Sequence, residues 1–84
     1  MAQLVMFGGK GCDLCDMVEA EIRSIERVGS GLTVVDVGED QALLERYLLR
    51  IPVVTSAGKE VFEARMMDLY GRWKEKLRSA LEPP

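Results

Sequence analysis

Cys12 and Cys15 are the residues in this sequence best suited to chemistry, and they are its only cysteines. The Cys-X-X-Cys spacing lets two sulfurs meet across one helical turn, so a disulfide can close and reopen locally. The pair stands where a loop, Gly8-Gly9-Lys10-Gly11, gives way to a segment with helical spacing. Free N–H groups and the dipole at a helix start stabilise a thiolate. The thiolate is the nucleophile in disulfide exchange. Cys12, ahead of the helix, reads as the attacking sulfur, and Cys15, one turn in, as the resolving one. Lys10 favours a thiolate at Cys12, whereas Asp13 and Asp16 oppose it. The plainer alternative is a passive bridge, which on closing so short a loop contributes only about 2 kcal/mol in the loop-entropy model. A metal reading is weaker. Two thiolates fill half of a tetrahedral site. With no histidine, zinc or an iron–sulfur cluster would have to be shared between two chains or completed by glutathione.

The rest of the composition narrows the function classes. The 84 residues are expected to form one domain over 1–84. Hydrophobic residues make up 48% and charged residues 30%, an ordinary soluble globular mix. A net charge of -3 argues against a nucleic-acid partner, which wants clustered Lys and Arg. The lack of histidine removes His-based triads and His general bases. No apolar run approaches the ~20 residues that cross a bilayer. Met1 to Phe7 has no preceding basic residue and runs into glycines, so it does not read as a signal peptide. The expected location is cytoplasmic, with no membrane partner. There a close cysteine pair is more often catalytic or metal-binding than structural.

The elements that must position the pair follow from periodicity. Leu4-Val5-Met6-Phe7 reads as a buried central strand. Leu14, Cys15, Val18, Ile22, Ile25 and Val28 predict a helix from about Asp13 to Val28, stopped by Gly29-Ser30-Gly31. Leu32 to Val37 is β-branched and reads as a second strand. Asp40 is a suitable N-cap for a short helix faced by Leu43, Leu44, Tyr47 and Leu48. That helix ends near Arg50, because Ile51 precedes Pro52 and is pushed out of the helical region. Pro52 to Thr55 and Glu60 to Phe62 read as a hairpin turned at Ser56-Ala57-Gly58-Lys59. Leu69, Trp73, Leu77 and Leu81 predict a last helix from about Met66 to Leu81, closed by Pro83-Pro84. The order is βαβαββα: an α/β, four-stranded mixed sheet flanked by helices, its first two strands parallel.

The strand, the Cys-X-X-Cys opening a helix, and Ile51-Pro52 leading a strand-turn-strand unit together resemble the thioredoxin fold. The glutaredoxin branch, in its small bacterial glutaredoxin-like proteins, is most similar. Gly11-Cys12-Asp13-Leu14-Cys15-Asp16, Asp36-Val37 before Glu39-Asp40, Leu44-Glu45-Arg46-Tyr47, Ile51-Pro52-Val53-Val54 and Gly58-Lys59-Glu60 carry the likeness across nearly the whole chain. The resemblance implies a cis Pro52 beside the cysteines. It implies that the backbone of Ile51 receives an incoming thiol's chain as an extra strand. It also implies no bound cofactor, with glutathione as a co-substrate. Three departures stand out. Asp13-Leu14 replaces the usual Pro-Tyr, and Phe62-Glu63 or Ala64-Arg65 stands near the place of the Gly-Gly after the fourth strand. The acid that would hold glutathione's amino group is out of register at Asp68, with Arg65 nearer its place. Lys10 and Arg50 flank the expected site, where each could meet a substrate carboxylate.

The reading is a thiol–disulfide oxidoreductase acting through Cys12 and Cys15 on protein or glutathione-mixed disulfides, recharged by glutathione or a reductase. The alternatives are a binding module that keeps the fold without catalysis, and a metal or iron–sulfur site shared between chains.

Overall fold

The computed structural model describes residues 3–25, 31–68 and 70–82. The apolar run at the N-terminus forms β1 (Leu4–Gly8), and α1 (Asp13–Arg23) and β2 (Leu32–Asp36) follow. Next come α2 (Gln41–Tyr47), the hairpin β3 (Val53–Ser56) and β4 (Lys59–Glu63), and α3 (Arg72–Leu81). Short 3-10 turns at Val37–Glu39 and Ala64–Met66 precede α2 and follow β4. The sheet order is β2-β1-β3-β4. β1 and β2 pair in parallel, and β1 with β3 and β3 with β4 pair antiparallel. This is the thioredoxin-fold arrangement, with β1 and β3 at the centre of a mixed sheet.

β1 alternates between two covered faces, which is why its sequence is apolar at successive positions. Leu4 and Met6 join Val18 and Ile22 of α1, Phe62 of β4 and Trp73 and Leu77 of α3 in the larger core. Phe7 points the other way and stacks on Tyr47 of α2, centroids 4.5 Å apart. There it borders a smaller cluster of Val37, Tyr47 and Val53. Among the described residues no helix is long and apolar enough to cross a membrane.

Two helix boundaries differ from the sequence expectation. α1 stops at Arg23, because the Ser24 hydroxyl donates to the carbonyl of Glu21 at 2.6 Å and draws the chain into a tighter turn. Ile25 still buries against the core. Val28 and the start of the glycine stop, 29–30, lie outside the described residues. α3 begins at Arg72 rather than Met66. Asp68 Oδ1 accepts from the N–H groups of Tyr70 (3.2 Å) and Arg72 (2.9 Å), so this acid caps the helix from outside it. Leu69, Pro83 and Pro84 also fall outside the described residues. β2 ends one residue early, because Asp36 accepts from the Gly38 N–H and starts a turn at Val37. Asp40 does cap α2, its Oδ1 accepting from Ala42 and Leu43.

Candidate active site

Cys12 is the N-cap of α1, with extended backbone angles. Its Sγ lies 3.1 Å from the Cys15 N–H, which donates to it, and its carbonyl accepts from the Asp16 N–H at 3.1 Å. The helix start therefore aims a backbone donor at the sulfur that would carry charge as a thiolate. Cys12 and Cys15 are joined as a disulfide, with their Cα atoms 5.2 Å apart. The two sulfurs differ in access. Cys12 is half-buried at the rim, whereas Cys15 is 3% exposed and belongs to the core. One sulfur can meet a macromolecular disulfide, and the other can meet only its neighbour.

The β1–α1 loop lets this pair sit tightly against the sheet. A Cβ on Gly8 would come within 3.2 Å of Cys15 Sγ, and one on Gly9 within 3.1 Å of Ile51 Cδ1. Side chains at either position would push the disulfide or the Pro52 strand away. The Ile51–Pro52 peptide is cis, Pro52 is fully buried, and Ile51 packs against both hydrophobic clusters. Lys10 and Ile51 line one groove of about 340 Å³, together with Asp36, Glu39, Leu44 and Leu48. The groove opens at the carboxyl ends of the two parallel strands, the usual ligand position in open α/β sheets.

Arg50, expected to meet a substrate carboxylate, is engaged within the fold: its guanidinium pairs with Glu60, and its Nε donates to Glu63 Oε2 at 3.1 Å. The Arg50 carbonyl accepts from the Ala64 N–H at 3.3 Å, and its guanidinium lies over the Tyr47 ring at 5.6 Å. Arg50 thus straps the segment before Pro52 to the end of β4. The hydrogen bond from Arg50 holds the Glu60 carboxyl below the ordinary glutamate range, and Glu60 and then Glu63 raise the guanidinium further above its own. Arg65 pairs with the other oxygen of Glu63 at 2.6 Å.

Sequence reasoning did not assign Gly8, Gly9, Glu39, Leu44 or Leu48 to the site. Leu44 and Leu48 belong to the apolar face expected for α2, yet Leu48 is exposed and Leu44 half-buried at the groove edge. Among the described residues no group of three or more His, Cys, Asp or Glu side chains is placed to hold a metal ion.

No curated protein matches this chain. Among solved structures, the holo form of glutaredoxin C1 from Populus tremula x tremuloides is similar to it, with a TM-score of 0.55 and 21% identity. The alignment covers 94% of this chain and 86% of that one, and at this identity it speaks for the fold. The family model for the glutaredoxin-like domain (DUF836) matches residues 3–82. That match runs from β1 through α3 and includes the cysteine pair, and the chain accordingly belongs to the glutaredoxin-like domain family.

Proposed function

We propose that the protein is a thiol–disulfide oxidoreductase in which Cys12 attacks and Cys15 resolves. The observation that carries this is the asymmetry of the pair: a rim sulfur facing a helix N-terminus and a buried partner one turn inside. In the reduced state the Cys12 thiolate attacks a substrate disulfide. A Cys12–substrate bond forms, the substrate S–S bond breaks, and the departing thiolate takes a proton from water. Cys15, after losing its proton to water, then attacks Cys12 Sγ. The Cys12–Cys15 disulfide forms and the second substrate thiolate leaves. Two electrons pass from the protein dithiol to the substrate. A thiol donor, glutathione or a dithiol reductase, restores the pair by the reverse exchange. The substrates are protein disulfides and protein–glutathione mixed disulfides. In this reading the backbone of Ile51 receives the substrate strand as an added edge.

Two variants test this. Cys12→Ser loses all exchange. Cys15→Ser performs the first attack only and accumulates a mixed disulfide on Cys12, seen as the added mass of the substrate thiol. Undiminished turnover by Cys12→Ser overturns the proposal.

A further inference from the structure

Glutathione carries two carboxylates and one ammonium at neutral pH, so a site that selects it needs unpaired cations and an unpaired acid. The charges nearest the Pro52 strand are already committed. Arg50 closes on Glu60 and Glu63, and Arg65 on Glu63. Asp68 spends Oδ1 on the start of α3.

The surface beside the disulfide has a different character. The groove that Ile51 borders has Lys10 on its wall, but also Asp36 and Glu39. Asp13 and Asp16 stand exposed in the first turn of α1, next to the cysteines. Among the described residues no ion pair neutralises any of these five charges. One cation against four acids repels the glutathione disulfide dianion and attracts a basic chain. Leu44 and Leu48 extend this surface. Both also line a second groove, about 590 Å³, that runs on to Leu49, which is 96% exposed. Leu44 and Leu48 thus border two adjoining grooves, the second of which also carries Glu45, Arg46 and the paired Arg50 on its walls.

Resting on the oxidoreductase reading, we infer that the recognised substrate is a polypeptide disulfide whose cysteine is flanked by basic and apolar residues. Its apolar side chains lie along Leu44, Leu48 and Ile51, and its cations face Asp36 and Glu39. Glutathione is not the group this surface selects. The chemistry is the two-electron exchange given above, with the substrate's two sulfurs leaving as thiols.

The test is single-turnover oxidation of the pre-reduced protein by four disulfides: hydroxyethyl disulfide (neutral), glutathione disulfide, and homodisulfides of a Leu-containing cysteine peptide with Lys or with Glu flanks. The Lys-flanked peptide should react about tenfold or more faster than both the Glu-flanked peptide and glutathione disulfide at low salt. The gap should shrink at 1 M salt, where screening acts within roughly 3 Å. Asp36→Asn, which keeps the acceptor for Gly38, combined with Glu39→Gln should also narrow the gap. Equal rates, or glutathione disulfide reacting fastest, overturn the inference and leave the oxidoreductase reading standing. Failure to react even with hydroxyethyl disulfide overturns both.

Discussion

The face of the sheet under α1 and α3 buries Met6, Val18, Ile22, Phe62 and Leu77 almost completely, whereas among the described residues the face under α2 closes over only Val37, Tyr47 and Val53. Phe7, Leu43 and Leu44 stay half-covered around that smaller cluster, and Leu48 and Leu49 are left in solvent at its edge. Cys15 sits in the thick core, and Cys12 packs against its margin. Ile51 touches both sides. The thick face holds the Cys15 sulfur in the core. The thin face leaves the apolar side chains of Leu48 and Leu49 in solvent. A small domain has little stability to spare, typically about 5–15 kcal/mol, so the sacrifice is affordable only on one side.

Substitutions on the two faces should differ in their cost. Phe62→Ala, in the thick core, should lower unfolding free energy by about 3–5 kcal/mol through lost burial and a residual cavity. Phe62→Leu is the milder check if that variant does not fold. Tyr47→Leu keeps apolar bulk on the thin face but loses the stack on Phe7. It should lose about 1 kcal/mol, or roughly 4–8 °C in Tm. An equal loss at the two sites would break the comparison, and urea unfolding measures both. Leu48→Ala, at an exposed position, should change stability by no more than about 0.5 kcal/mol. It should nonetheless slow exchange with the Lys-flanked peptide, read by stopped-flow fluorescence.

The smallest effect is electrostatic. The Arg50 hydrogen bond holds the Glu60 carboxyl below its ordinary range. A depressed acid stabilises the fold above its unfolded value, near ~4.3, and that contribution disappears as pH falls through the lower folded value. Both side chains are about one-third exposed, so solvent screens the pair strongly. Glu60→Gln should therefore lower Tm slightly at pH 7 and make no difference at the acid end. A difference that grows toward low pH would contradict the assignment.

Much of this was legible in local pattern. The run from Leu4 to Phe7 is continuous because both faces of β1 are covered. The spacing of Cys12 and Cys15 after a glycine loop put the pair at a helix start. Asp40 marked its helix because an N-cap acts over three residues. What escaped was set by partners remote or masked in sequence. Arg50 reads as a free surface cation until the hairpin brings Glu60 and Glu63 alongside it. The early start assigned to the last helix followed from apolar spacing, which does not show that the Asp68 side chain holds the N–H groups of Tyr70 and Arg72. Leu44 and Leu48 carry the spacing of a core face, and only tertiary packing shows that the thin face stops short of covering them.

The central claim is that Cys12 and Cys15 cycle between dithiol and disulfide in use. Equilibrating the protein across thiol–disulfide buffers, quenching, and weighing each species by mass spectrometry tests it most directly. A cycling pair should show a potential within the working oxidoreductase range, roughly -270 to -120 mV. A potential below about -300 mV, the range of inert structural bridges, would contradict it.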